Sequence, residues 1–259
     1  MYRNIWNESF PSLCSISFYN TNAIKALTVT GFKVDNYIVT EEIIYKDIPF
    51  DYVMFRFVKS DGFTVAREVK LNRNKFSDRI HSCVRLEDEG FALIDVSNTP
   101  MAEIPSLNVA SCSRIAIGHP IAILGFHYDR ENLTFLQGII SSNVKLDDRK
   151  EFLQFNASVR QGFSGSPLIN VETGRVVGVV GHRLTSHSKE YDKFKQIIDD
   201  NLALLQPALG ELKVGPIDPV QVLIASQNQL KQLGRELYKS SHSSFGYAHK
   251  IDNLSYYLS

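Results

Sequence analysis

The chain of 259 residues is 44% hydrophobic and 22% charged, and its 28 Lys+Arg balance 28 Asp+Glu. That composition excludes a mainly disordered chain and leaves room for one large or two small folded domains. A formal charge of zero removes the generic electrostatic case for nucleic acid or an anionic membrane as partner, and neither is expected.

In chain order, short runs rich in β-branched and aromatic residues, bounded by Gly, Asn and Asp, extend from the start to about residue 184. They predict strands at Leu13–Phe18, Ala26–Val34, Tyr37–Thr40, Tyr52–Val58, Thr64–Leu71 and Gly90–Val96, and again at Pro120–Phe126, Thr134–Ser142, Phe152–Ala157, Ser166–Asn170 and Arg175–Val180. So many short strands imply an all-β barrel or sandwich. Between residues 99 and 120 three prolines and the loss of any period mark a connector, which divides the chain into an N-terminal β unit, 1–104, and a C-terminal one, 105–259. From Ser188 to Ser240 the period changes. Tyr191, Phe194, Ile197, Ile198, Leu202 and Leu205 recur at helical spacing, as do Val220, Leu223, Ile224, Leu230, Leu233 and Leu237, which predicts an amphipathic α-helical hairpin inserted at 188–240. Ser188 and Asp218 are its N-caps, Pro219 is a first-turn proline, and Pro207 and Gly210 break the chain between the helices.

Cys14, Cys83 and Cys112 are odd in number, widely spaced and without a CxxC pair, so they read as buried thiols in a reducing compartment. Neither a secretory apolar segment within MYRNIWNESFPSLCSISF nor an 18-residue apolar run occurs; the expected setting is the cytoplasm. With no metal-ligand or nucleotide motif, no cofactor and no metal are expected.

The stretch Gln161-Gly162-Phe163-Ser164-Gly165-Ser166-Pro167 carries the most chemistry. A serine between glycines in a tight turn exposes its hydroxyl while the N–H groups of Gly162 and Ser164 converge as an oxyanion hole. Taken alone, the same residues also suit an ordinary Gly/Ser turn before a strand.

The surroundings of that turn resemble the protease domain of the trypsin-like serine proteases of HtrA/Deg type, in ordered blocks. These are GFKVDNYIVTEEII at Gly31–Ile44, the Ser60-Asp61-Gly62 hairpin, EGFALIDV at Glu89–Val96, AILGF and LTFLQGIISS within Ile121–Ser142, the Ser164 block, and FGYAHKIDNL at Phe245–Leu254. The resemblance implies a trypsin-like double β-barrel of two six-stranded barrels with a cleft between them, and Ser164 as the nucleophile equivalent. It also implies two losses. Ile43 stands where the family has its general-base histidine, and Gly90 where it has the orienting aspartate. A neutral serine hydroxyl is a weak nucleophile without an imidazole to take its proton and a carboxylate to orient that imidazole.

The expected function is therefore a degenerate protease acting as a peptide- or protein-binding or regulatory module. The alternatives are an active serine endopeptidase or hydrolase with a non-standard base, and a structural subunit using only its barrel surfaces. His182, two residues beyond Val180 on the strand that lines the family's specificity pocket, is a candidate cleft residue with Val180, and so is Phe163, which either closes over the cleft or packs at the barrel rim. Glu41 and Glu42 flank the lost histidine; burial would make either a candidate base, whereas adjacent glutamates at a strand end are ordinarily solvated. The family's peptide-binding PDZ domain is not expected after Ser259. The hairpin is expected near the cleft entrance, as a lid or a docking surface, and the oligomeric state is open.

Overall fold

A computed structural model of the chain describes residues 1–42, 48–82, 90–128, 131–146, 150–181, 188–211, 215–240 and 245–254. Helix α1 (Tyr2–Ser9) precedes strands β1 (Leu13–Tyr19), β2 (Lys25–Val34), β3 (Tyr37–Glu41), β4 (Tyr52–Val58) and β5 (Val65–Asn72). Helix α2 (Arg73–Ser77), β6 (Ile80–Ser82) and β7 (Phe91–Asp95) complete the first half. These strands form one antiparallel sheet in the order β5-β4-β1-β2-β3-β7-β6. It has seven strands where the resemblance implies six, because the three-residue β6 adds to β7 through Ile80↔Ile94.

The two-residue period of β1 and β2 decides what this sheet encloses. Cys14, Ile16 and Phe18 share a face, and with Val29, Ile38, Val53, Phe55 and Ile94 they form one core. Edge-to-face contacts of Phe18 with Phe50 and Phe76, at 5.1 and 5.6 Å between ring centroids, close it.

The second half is a closed barrel, β10-β13-β12-β11-β8-β9. Its strands are β8 (Pro120–Phe126), β9 (Leu133–Leu146), β10 (Lys150–Phe155), β11 (Pro167–Asn170), β12 (Val176–Val180) and β13 (Gly246–Lys250). The connector ties the halves through backbone bonds from Leu107 N–H to the Lys33 carbonyl, 2.8 Å, and from Ala110 N–H to the Val176 carbonyl, 2.9 Å. Cys14 and Cys112 are buried free thiols. Burial pushes the Cys112 thiol up to about 12 and the Cys14 thiol further, so neither is a nucleophile near neutral pH. Cys83 lies outside the described residues.

Residues 1–183 with 244–259 form one compact unit and 184–243 another. The second is the expected hairpin, α3 (Ser188–Leu205) and α4 (Pro219–Ser240). Asp218 caps α4 by accepting the Val220 N–H at 2.8 Å. The Phe194 ring lies against Gly234, and Lys231 Nζ pairs with Asp199 at 2.5 Å. Among the described residues no helix is long and apolar enough to cross a membrane.

Candidate functional site

The Ser164 turn runs from β10 to β11 and docks where the β2–β3 ladder stops. That ladder pairs Phe32↔Val39, Lys33↔Ile38 and Val34↔Tyr37 and goes no further. The next free donor on β2, the Thr30 N–H, bonds instead to the Ser164 carbonyl at 2.9 Å. The insertion is tight enough to need glycine. Gly165 has φ +84°, and a Cβ there would sit 2.2 Å from the Thr30 carbonyl oxygen and 2.3 Å from Thr40 Oγ1. Gly162 has φ +103°, and its Cβ would sit 2.3 Å from the Phe126 carbonyl oxygen.

Every carbonyl from Gln161 to Ser164 is occupied. Gln161 accepts from Tyr128 N–H at 3.1 Å, Gly162 from the Thr30 hydroxyl at 2.8 Å, Phe163 from Ser166 N–H at 2.9 Å, and Ser164 from Thr30 N–H. The Phe163 and Gly165 N–H groups donate to the Arg160 and Val180 carbonyls at 3.1 and 2.7 Å. Between Gly162 and Gly165 the N–H groups of Gly162 and Ser164 find no acceptor among the described residues, and the half-buried Ser164 hydroxyl finds no partner there. Unpaired backbone amides in a glycine-shaped turn are donors of the kind that hold an oxyanion or a carbonyl oxygen where they converge.

The base side is built differently. Gly90, at the start of β7, offers only its main-chain carbonyl, which accepts the Glu42 N–H at 3.1 Å. Ile43 lies outside the described residues, as does His182. Glu41 and Glu42 are buried, 2% and 3% exposed, not solvated. Glu41 pairs with Phe91 across β3–β7 and ends beneath the turn, its N–H nitrogen 2.9 Å from the Gly165 Cβ position. Glu41 Oε1 and His249 Nε2 both lie near Gly181, 3.7 and 2.9 Å from the point a Cβ would occupy there. The His249 imidazole lies tilted against the Phe152 ring, with centroids 4.9 Å apart.

Two candidate cleft residues are corrected. Phe163 is 2% exposed, with its ring against Gly125, whose Cβ would stand 2.4 Å from it. It fills the C-terminal core and does not close over the cleft. Val180 is fully buried in the same core, and it serves the site through its backbone, which bonds Gly165 and Ser166. Sequence reasoning missed Thr30, Thr40 and the placement of His249 near Gly181. For Thr30 a signal existed, a threonine just before the Gly31–Ile44 block, but Gly162, which its hydroxyl bonds, is 132 residues away. Among the described residues no cluster of His, Cys, Asp and Glu could hold a metal ion.

A closed barrel and a curled sheet, with a glycine-flanked serine turn wedged between them, define a trypsin-like peptidase fold. The family model described as trypsin-like peptidase domain matches residues 58–179. The chain is 25% identical over 155 residues to serine protease HTR4 of Bos taurus and 26% identical over 160 to serine protease HTRA4 of Mus musculus. Those matches cover 54% and 55% of this chain and 32% and 33% of the relatives, so the chain spans about a third of their length. Among solved structures, the HtrA-type protease AlgW with tripeptide superposes with a TM-score of 0.52 at 16% identity, covering 70% of this chain and 54% of that one. Deg5 gives a TM-score of 0.52 at 17% identity, covering 70% and 85%. The Rv3671c protease in its inactive form gives 0.51 at 19% identity, covering 72% and 84%. With a trypsin-like peptidase fold and a matching peptidase-domain model over residues 58–179, the chain is similar to proteases of HtrA/Deg type.

Proposed function

We propose that this domain is a catalytically degenerate trypsin-like module that binds an extended peptide or protein segment between its two β units, in the cytoplasm. In this reading the Gly162 and Ser164 amides hold a carbonyl oxygen of the bound chain. One observation supports it: the Gly162 and Ser164 N–H groups are left without an acceptor, whereas residue 90 has no side chain and gives its main-chain carbonyl to Glu42. The sequence adds isoleucine at the base position, Ile43. Removing the nucleophile or base of a serine protease costs roughly a million-fold in turnover, about 8 kcal/mol of transition-state stabilisation. The oxyanion hole and binding alone leave about a thousand-fold over water, too little for a protease.

The test is covalent labelling by a fluorophosphonate probe, followed by intact mass, for the wild type and Ser164→Ala. It runs from about pH 5 to about pH 9, where imidazoles and raised carboxylates titrate. The expected result is no labelling of either protein while both remain folded. Labelling that Ser164→Ala abolishes would overturn the degenerate reading and establish a serine hydrolase with a non-standard base. The observation favouring that second reading is the buried Glu41 beside the turn, and Glu41→Gln is the variant that would then remove the labelling.

A further inference from the structure

We propose that Thr30 is a positioning residue of the Gly162–Gly165 turn, fixing from the N-terminal sheet the two peptide planes, 162–163 and 164–165, that alternate with those carrying the Gly162 and Ser164 amides and so keeping the Gly162 and Ser164 carbonyls away from them. The inference rests on the reading of those amides as the carbonyl-holding site. It starts from a complete accounting of one buried residue. Thr30 is fully buried, and every hydrogen-bonding group it has is used. Its N–H donates to the Ser164 carbonyl at 2.9 Å, and its hydroxyl donates to the Gly162 carbonyl at 2.8 Å and accepts the Phe126 N–H at 2.9 Å. Its own carbonyl accepts the Thr40 hydroxyl at 2.8 Å.

A peptide unit is planar, so holding its carbonyl also sets the N–H on its far side. Thr30 holds the carbonyl ends of the 162–163 and 164–165 units, while Arg160 and Val180 accept their N–H ends. The alternate units, 161–162 and 163–164, are held at their carbonyls by the Tyr128 and Ser166 N–H groups, and the Gly162 and Ser164 N–H groups at their other ends are the donors of residues 162–165 left over. The 162–163 plane depends on the hydroxyl in particular. Gly162 has no Cβ to restrict its torsions, and without the hydroxyl its carbonyl can swing toward the two amides and present an acceptor where donors are needed. The same loss strands the Phe126 N–H in the interior.

The experiment is backbone NMR of the full chain, wild type against Thr30→Val and Thr30→Ser, with titration by phenylphosphonate as a tetrahedral oxyanion probe. Val53→Ala, a buried truncation on β4, is the control for lost stability alone. The valine variant is expected to shift the Gly162 carbonyl and Phe126 amide resonances and to weaken phenylphosphonate binding about tenfold, the worth of one hydrogen bond. The serine variant is expected to restore both readouts, and Val53→Ala to lower the melting temperature while moving neither. An unshifted Gly162 carbonyl with unchanged affinity in Thr30→Val overturns the proposal. Should the valine variant not fold, the wild type decides: a Thr30 hydroxyl proton exchanging as fast as an exposed one refutes it, and a protected one supports it. If phenylphosphonate leaves the wild-type Gly162 and Ser164 amides unmoved, the carbonyl-holding reading fails, and Thr30 is judged by the Gly162 carbonyl shift and its rescue by serine.

Discussion

Gly165 and Gly174 both have positive φ, +84° and +68°, yet they sit in opposite surroundings. A Cβ on Gly174 would meet only Glu8 Oε2 at 3.8 Å, whereas one on Gly165 would be driven into the Thr30 carbonyl and Thr40 Oγ1. Left-handed backbone alone costs an L-residue about 1–2 kcal/mol, and overpacking adds about 1–3 kcal/mol. Gly174→Ala should therefore lower unfolding stability by about 1 kcal/mol, and Gly165→Ala by about 3 kcal/mol or more, as read from urea midpoints at constant m-value. Equal costs would mean that the backbone conformation matters and the docking of the turn on β2 does not. These glycines were legible in the sequence because the pattern around Ser164 is local. Phe163 was half legible: its neighbours in sequence place it beside the nucleophile equivalent, but its ring direction is fixed by the space over Gly125, 38 positions earlier, which no local pattern shows.

Strands announced themselves where one face is buried and the period of two is clean, as in Tyr52–Val58, which β4 reproduces residue for residue. Helix α1 did not: YRNIWNES buries only Ile5 and Ser9 fully, so its pattern is too sparse to separate from a polar loop. Strand β6 is three residues long and takes its identity from β7 alone. Thr30 escaped for a related reason, since it acquires its role only when β2 is brought to the Ser164 turn. Charge pairing between strands gives this scale its own prediction. Glu151 on β10 accepts from Lys250 on β13 at 2.6 Å and lies 3.0 Å from Lys145 on β9. The Lys250 hydrogen bond, then that of Lys145, holds its carboxyl down to about 2. A lowered carboxylate contributes stability above its unfolded value of about 4.3 and loses it as pH falls toward the folded value. Glu151→Gln should accordingly flatten the fall of melting temperature between about pH 4.5 and about pH 2. The pair is exposed, so salt at about 1 M should flatten the same limb in the wild type. A limb of unchanged slope in both experiments would show that the three charges do not couple to folding.

At the scale of the molecule, the connectivity between the two units makes the hairpin separable. The chain leaves the barrel after β12 and returns in β13, and these strands already pair as neighbours through Val179↔His249 and Val180↔Ala248. One step further, the Gly181 N–H donates to the Tyr247 carbonyl at 3.0 Å. The two ends of the insertion are thus held side by side by the barrel's own ladder. Replacing residues 184–243 by a short Gly/Ser linker converts the pair into an ordinary β-hairpin. Each halving of a flexible loop relieves about 0.6 kcal/mol of closure entropy, and in a unit of this size about 1 kcal/mol moves the melting temperature by about 2–4 °C. The shortened chain should unfold cooperatively at the wild-type temperature or a few degrees above it, by calorimetry. A broad transition, or a melting temperature lower by about 10 °C or more, would show that the barrel depends on the insertion for stability, since the loop term has the opposite sign. The same variant reads the lid expectation separately. If the hairpin covers the Ser164 turn, phenylphosphonate should reach the Gly162 and Ser164 amides faster and more tightly once it is gone; equal binding in a variant of unchanged stability would sink the lid and leave the hairpin as a docking surface.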